Sequence, residues 1–227
     1  MNQKFTILFD LDGTLVDTAP DLMLAHNHVM KKFGYPTKST EDIRNLVGKG
    51  AGALIGRSIW GQAKKEFSKV LDDKIKDEMV KEFINFYGKN IINESTLITG
   101  VKEFLKWCKE HNISMAVCTN KQERLSNDLL KKIGIYDFFE YVAGSDTFDY
   151  CKPDPRHLTS VVEILDGDIK KTIMIGDSET DANAAKAAEI PVILLENGYT
   201  EKNTTEIYHN HLIKDFIGIE KIISKYL

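Results

Sequence analysis

The sequence has little of what marks secreted, membrane-spanning or nucleic-acid-binding proteins. Its three cysteines, Cys108, Cys118 and Cys151, form no C-x-x-C pair, which argues against a disulfide framework and favours a reducing compartment. No run approaches the ~20 apolar residues that a membrane span needs. Lys and Arg total 30 against 34 Asp and Glu, so no broad basic face is available for nucleic acid. We therefore expect a soluble cytoplasmic protein that binds neither membranes nor nucleic acid.

Composition and length indicate an ordinary globular chain. Hydrophobic residues make up 42% of the sequence and charged residues 28%, which excludes disorder, collagen and a long coiled coil. Asp10 and Asp12 interrupt the N-terminal apolar stretch, so it is not interpreted as a signal peptide. At 227 residues the chain suits one core domain with an appended lobe, whereas two full domains would be cramped.

Short apolar runs alternate with helical patterns along most of the chain. Five runs rich in β-branched residues predict buried strands at 5–9, 113–118, 141–143, 172–175 and 191–195. The spacing between most of them predicts helices at 101–111, 122–133, 155–165 and 181–188. This alternation favours right-handed βαβ units and a parallel sheet covered by helices on both faces. A last amphipathic helix is predicted from Phe216, Ile219, Ile222 and Ile223.

One interval breaks this alternation and predicts a second, helical unit. From about residue 17 to residue 93 no convincing strand is evident, and helical patterns cover 21–33, 40–55 and the charged stretch 62–90. We interpret the interval as a helical cap inserted into an α/β core. The expected core domain is 1–16 plus 93–227, the expected cap domain is 17–92, and hinges are expected near 16–20 and 90–100.

Two aspartates follow the first predicted strand. Side chains alternate along an extended chain, so Asp10 and Asp12 project to the same side, and Gly13 allows a sharp turn after them. An isolated Asp-x-Asp-Gly is usually an ordinary turn, but a turn needs no second carboxylate. No glutamate-terminated loop of EF-hand type follows. Two carboxylates this close imply a shared proton, a cation or both.

Three later segments add polar groups near the ends of predicted strands. Thr119 and Asn120 follow one strand, and their hydroxyl and amide groups can bind phosphate oxygens. Lys152 precedes a Pro-Asp-Pro turn, and Asp177 follows another strand with Asp181 four residues later on the same side of a helix. Each residue alone can be explained by an ordinary structural role, as a helix cap or a surface group. Together with the first segment they predict a magnesium site for a phosphoryl group, because open α/β sheets bind ligands at the carboxyl ends of their strands.

The four segments, in this order, resemble the haloacid dehalogenase-like superfamily. Its motifs read DxDGT, Ser/Thr, Lys and GDSxxD, and they match 10–14, Thr119, Lys152 and 176–181. The helical insertion is similar to that superfamily's C1 cap. The phosphoglycolate phosphatases are the most similar group, on the first and last motifs and on 47–50 in the cap. The resemblance implies a Rossmann-like α/β core with an inserted α-helical cap.

The resemblance also implies catalytic roles. Asp10 would attack phosphorus and become an aspartyl phosphate, while Asp12 would protonate the leaving alcohol and then activate water. Thr119 and Lys152 would hold the transferring phosphoryl oxygens.

A magnesium ion is the cofactor that the resemblance implies. It would bind the side chains of Asp10 and Asp177 and the backbone carbonyl of Asp12. Asp181 would support these ligands or be a further one.

Asp12 also separates reaction classes. A dehalogenase displaces halide, which needs no proton, so a second aspartate favours phosphate esters. A phosphomutase similar to β-phosphoglucomutase stays the enzymatic alternative, with pyrophosphatase or nucleotidase activity also open. The non-enzymatic alternative, a receiver domain of a signalling system, has no cap and does not carry its phosphorylated aspartate at the first strand.

The cap is expected to select the leaving group. Lys49 lies between Gly48 and Gly50 before a helical pattern, where backbone N–H groups can approach an anion, so it is the predicted contact for a substrate carboxylate. Arg44 and Arg57 are alternatives. The expected partner is a small phosphorylated metabolite, most of all 2-phosphoglycolate, and the protein is expected to be a monomer or homodimer.

Overall fold

The computed structural model describes residues 3–66 and 73–227 and contains a six-stranded parallel sheet. Its strands are β1 (Thr6–Phe9), β4 (Ser114–Cys118), β5 (Tyr141–Ala143), β6 (Thr172–Gly176), β7 (Val192–Leu195) and β8 (His211–Ile213). They stand in the order β5-β4-β1-β6-β7-β8, and each neighbouring pair is parallel. A separate antiparallel pair joins β2 (Val16–Asp17) to β3 (Thr96–Leu97). All five predicted strands are confirmed to within one residue at each end.

Helices cover both faces of the sheet, as predicted. They are α5 (Val101–Glu110) and α6 (Glu123–Ile133) on one face, and α7 (Arg156–Ile164) and α8 (Glu179–Ala187) on the other. The alternation of side chains in β1 shows why: Ile7 and Phe9 pack in the first of these two layers, while Leu8 packs in the second. Because both faces of the strands are buried, their sequences are apolar without interruption.

In the described part of the interval between β2 and β3 the structure contains four helices. They are α1 (Ala19–Phe33), α2 (Thr40–Arg44), α3 (Ala51–Glu66) and α4 (Asp73–Lys89). The single helix predicted at 40–55 was wrong, because Gly48 and Gly50 have φ of 95° and 81° and the chain between α2 and α3 is not helical. Residues 67–72 of the predicted helical stretch 62–90 lie outside the described residues. The boundaries of the core and cap domains stay a prediction.

The C-terminal helix is shorter than its apolar pattern predicts. Only α9 (Glu220–Ile223) is helical, since Gly218 with φ of 81° separates it from Phe216. Phe216, Ile219 and Ile223 are nonetheless buried, so the apolar pattern correctly identifies core positions. Cys108, Cys118 and Cys151 are free thiols. Within the ranges that the structure describes, no helix has the length and apolar character to cross a bilayer.

Hydrogen bonds to Asp21 connect α1 to the segment that leads into β3. Its buried carboxylate accepts hydrogen bonds from the backbone N–H groups of Asn93, Glu94 and Ser95 at 2.9–3.2 Å and from the Ser95 hydroxyl at 2.6 Å. Both ends of the helical interval therefore meet at one buried acceptor.

We expect Asp21→Ala to lower the free energy of unfolding by about 2–3 kcal/mol, because it leaves several backbone donors without their acceptor. Ser95→Ala removes a single donor and is expected to cost about 1 kcal/mol. Urea denaturation of both variants measures the difference. Equal losses would contradict the assignment of Asp21 as the shared acceptor.

Candidate active site

The carboxyl ends of three adjacent strands bring the predicted site residues together. Asp10 follows β1, Thr119 follows β4 and Asp177 follows β6, and β1 lies between the other two strands. The backbone N–H of Asp10 donates to the Ile175 carbonyl at 2.9 Å, which keeps Asp10 in register with β6. The parallel topology thus gathers residues from distant parts of the sequence at one edge.

Three buried carboxylates form a tight cluster at this edge. Asp10, Asp177 and Asp181 each offer an oxygen, and these oxygens lie within 4.8 Å of one another. Burial raises the pKa of Asp10 to about 6, with Asp181 and Asp12 adding to the rise and Lys152 opposing it. Burial, followed by the charges of Asp181 and Asp10, also raises the pKa of Asp177. The cluster therefore favours a bound cation.

Lys152 supplies positive charge to this cluster. Its side chain is 1% exposed, and Nζ lies 2.9 Å from Asp10 Oδ1 and 2.5 Å from Asp181 Oδ1. Burial alone would lower the pKa of Lys152, but the two carboxylates outweigh it and raise that pKa above its usual value. The alternative interpretation of Lys152 as a surface residue is wrong.

The Asp177 carboxylate is fixed by its surroundings. It accepts the backbone N–H of Tyr199 at 2.6 Å and the hydroxyl of Thr14 at 3.3 Å. A Cβ at Gly13 would lie 2.1 Å from Asp177 Oδ2, and Gly13 has φ of 81°. Glycine is required here both for the turn and for the close approach of the carboxylate.

Asp181 has two functions in the structure. One oxygen accepts hydrogen bonds from the backbone N–H groups of Asp177 and Ser178 and from the Ser178 hydroxyl, at 2.8–3.2 Å. The other oxygen pairs with Lys152. The helix-capping interpretation of Asp181 is confirmed, and the same carboxylate also belongs to the acidic cluster.

Asp12 has a separate set of partners. The Lys121 ammonium lies 2.7 Å from both of its carboxylate oxygens, and the Thr18 hydroxyl donates to Oδ1 at 2.7 Å. Lys121 was missed as a site residue, although it directly follows Thr119 and Asn120. Its position just after a strand was the available signal, but the carboxylate that it meets depends on the sheet order.

Thr119 and Asn120 differ in what they offer a ligand. Both line the cavity described below, and the Thr119 hydroxyl oxygen is 3.3 Å from the Lys121 backbone N–H, which donates to it. The side-chain amide of Asn120 donates to the carbonyls of Gly48 and Lys152 at 3.0 and 2.9 Å. The N–H groups of this amide therefore join three loops. The phosphate contact predicted for Asn120 stays a prediction.

A cavity of about 310 Å³ opens beside Asp10 and Asp12. Much of its wall is apolar and comes from the helical interval: Leu22, Leu54, Val80, Phe83 and Ile84. Lys49 also lines it, but is exposed. The role predicted for Lys49 stays a prediction.

The two alternatives to Lys49 have structural partners. Arg44 pairs with Asp17 at 2.7 Å and lies 5.4 Å from the centre of the Tyr199 ring. Arg57 donates to the carbonyls of Asn45 and Leu46 and pairs with Glu201. The structure therefore does not favour either arginine as a substrate contact.

The donor set fits a magnesium ion. Carboxylate oxygens are the ligands that this hard cation prefers. When all four are ionised, the carboxylates of Asp10, Asp12, Asp177 and Asp181 exceed the positive charge of Lys121 and Lys152 by two. One divalent cation would balance this excess.

Comparison with known proteins agrees with this geometry. Residues 7–195 match the haloacid dehalogenase-like hydrolase family. The phosphoglycolate phosphatase of Mesorhizobium japonicum is 38% identical over 210 residues, which cover 92% of this chain and 90% of that one. The phosphoglycolate phosphatase of Caulobacter vibrioides is 38% identical over 216 residues, or 95% and 89% of the two chains. A crystal structure described as a predicted phosphoglycolate phosphatase from Haemophilus somnus has a TM-score of 0.90 at 31% identity, with 98% and 99% coverage.

The chain belongs to the haloacid dehalogenase-like hydrolase family. The resemblance inferred from the four motifs and the predicted α/β fold are both confirmed.

Proposed function

We propose that the protein is a magnesium-dependent phosphomonoesterase that forms an aspartyl phosphate on Asp10, and that its substrate is 2-phosphoglycolate. The observation that carries the proposal is the position of Asp10. This residue belongs to the acidic cluster, pairs with Lys152 and lines the cavity. A carboxylate so placed can reach a phosphoryl group that enters from the cavity.

The proposed reaction has two halves. Asp10 attacks phosphorus, and Asp12 gives a proton to the departing alcohol oxygen. Asp12 then accepts a proton from the water that cleaves the aspartyl phosphate. Lys152 and Thr119 hold phosphoryl oxygens, and a bound magnesium ion supplies positive charge that offsets the charge of the transferring group.

Several groups are needed because the uncatalysed reaction is very slow. Hydrolysis of phosphate monoesters requires acceleration of up to ~10²¹. One general acid contributes only ~10²–10⁴ of this acceleration, so a nucleophile, a metal cation and a charged side chain that holds the phosphoryl oxygens must act with it.

The names of the relatives support glycolate as the leaving group. Both curated relatives described above are phosphoglycolate phosphatases and align with most of this chain. A panel of phosphoglycolate, nucleotides, pyrophosphate and hexose phosphates, assayed with magnesium and with a chelator, tests the proposal. We expect the highest kcat/KM on phosphoglycolate and loss of activity with the chelator. A clear preference for a nucleotide or a hexose phosphate would contradict the substrate.

We expect Asp12→Asn to lower kcat by about 10²–10⁴, the range of a single general acid or base. Asparagine keeps the backbone carbonyl at this position and is close in size, so magnesium affinity is expected to change little. Steady-state kinetics over a magnesium titration separates the two parameters. A collapse of magnesium affinity with kcat unchanged would show that the roles assigned to Asp10 and Asp12 are wrong.

A further inference from the structure

Lys121 and Tyr87 line the cavity but have no part in the phosphoryl chemistry proposed above. Lys121 Nζ lies 4.6 Å from the centre of the Tyr87 ring, on a side chain that is 5% exposed. Tyr87 belongs to α4, so the contact joins the helical interval to the residues that follow β4. Both residues are buried.

The Tyr87 hydroxyl is unusual because it has no hydrogen-bond partner among the described residues. Tyr87 is only 1% exposed. A buried hydroxyl without a partner is costly to the fold and is rare in native proteins. The hydroxyl oxygen itself is buried, and the Tyr87 residue lines the cavity. A ligand that displaces the packing around this oxygen can therefore become its hydrogen-bond partner.

We infer that Lys121 and Tyr87 together bind the carboxylate of the substrate's leaving group. The inference rests on the proposed function, because it requires a leaving group that carries a carboxylate. An ammonium group and a phenol are both donors, and a carboxylate has two acceptor oxygens. The pair is therefore complementary to that group in charge and in hydrogen bonding.

The covalent geometry of glycolate agrees with this placement. In 2-phosphoglycolate one methylene group separates the ester oxygen from the carboxyl carbon, so the carboxylate oxygens lie about 2.5–3.5 Å from the ester oxygen. Asp12 must come within hydrogen-bond distance of that ester oxygen to protonate it. The cation 2.7 Å from Asp12 is Lys121. A substrate whose ester oxygen reaches Asp12 thus has its own carboxylate within reach of Lys121.

Burial favours Lys121 over Lys49 for this role. Both lysines line the cavity, but Lys49 is exposed while Lys121 is buried. An ion pair is screened strongly at an exposed position and weakly at a buried one. Lys121 is thereby the better source of discrimination between a charged and an uncharged leaving group.

The test compares two substrates that differ in the carboxylate. Ethyl phosphate has the same two-carbon length as phosphoglycolate but an uncharged leaving group. For wild type, Tyr87→Phe and Lys121→Met, the measured quantity is kcat/KM on phosphoglycolate divided by kcat/KM on ethyl phosphate. We expect this ratio to fall roughly 10- to 100-fold in each variant, mainly through KM for phosphoglycolate.

A second lysine–tyrosine pair provides the matched control. Lys131 Nζ lies 4.7 Å from the centre of the Tyr136 ring, and neither residue lines the cavity. Tyr136→Phe is expected to leave the ratio unchanged. Tyr87→Phe keeps the ring and removes an unpartnered hydroxyl, so we expect it to be at least as stable as wild type in urea while it loses discrimination. This variant keeps the test decisive if Lys121→Met does not fold.

Three outcomes separate the inference from the function on which it rests. A preserved ratio in both variants, with wild type preferring phosphoglycolate, would overturn the inference and leave the proposed function standing. An equal loss on both substrates in Lys121→Met, with Tyr87→Phe unchanged, would show that Lys121 serves Asp12 alone and would also overturn it. Absence of any wild-type preference for phosphoglycolate would overturn the substrate assignment and the inference with it.

Discussion

The Asp10→Asn variant is expected to lose phosphatase activity by about 10⁴-fold or more, the largest effect of any single substitution in the site. An amide is a poor nucleophile, so the first half of the proposed reaction cannot proceed. The same change removes one negative charge from the acidic cluster and is expected to weaken magnesium binding. Initial rates on phosphoglycolate and isothermal titration with magnesium measure the two effects.

Two control measurements are needed to interpret the loss of activity in Asp10→Asn. Circular dichroism and urea denaturation establish that the variant is folded, and we expect it to be at least as stable as wild type without magnesium. The reason is that burial raises the pKa of Asp10 to about 6, so the charged carboxylate is disfavoured there. Near wild-type turnover by folded Asp10→Asn would falsify its assignment as the nucleophile.

Lys152→Met is expected to produce the second largest loss. The substitution removes a buried cation that contacts Asp10 and Asp181 at 2.9 and 2.5 Å. Loss of a charged group that stabilises the transition state costs about 10²–10³ in kcat. Breaking a buried ion pair from one side also costs about 3–5 kcal/mol of stability.

The controls for Lys152→Met are another lysine and an added cation. Lys202 pairs with Glu179 at 2.5 Å, but its side chain is 61% exposed, so we expect Lys202→Met to change stability little. Because the proposed magnesium ion would neutralise the same cluster, Lys152→Met is expected to be destabilised more in chelator than in saturating magnesium. Unchanged kcat/KM in Lys152→Met would contradict the assignment of this lysine to the phosphoryl site.

The strands were predictable because they are buried on both faces. A short continuous apolar run with β-branched residues, such as the one in β1, is typical of a strand that is buried on both faces. The edge strand β8 was not predicted, since two of its three residues are partly exposed, whereas the equally short edge strand β5 has two buried residues out of three.

The sequence predicted that the interval between β2 and β3 is helical, but it did not predict where each helix begins and ends. Its amphipathic spacing indicates helices, but the break between α2 and α3 depends on positive φ at Gly48 and Gly50. A sequence shows that glycine permits such a conformation and not that the chain adopts it.

Some residues of the candidate site were predictable from the sequence and others were not. Asp10, Asp177 and Lys152 were identifiable because each carries a polar group that an ordinary turn or cap does not require. Lys121 and Tyr87 were not, because their contact joins residues far apart in the sequence through the sheet order and the packing of α4. Contacts of this kind become visible only in the folded chain.

Trapping of the phosphoenzyme tests the central claim most directly. An aryl phosphate with a radiolabelled phosphoryl group, whose phenolate leaves without a proton from Asp12, is mixed with Asp12→Asn protein and magnesium, quenched in acid and digested. Since this variant lacks the group that activates water, we predict label on the peptide that contains Asp10, released by hydroxylamine as expected of an acyl phosphate. Label on another residue, or turnover with no labelled protein at any time point, would contradict an aspartyl phosphate at Asp10.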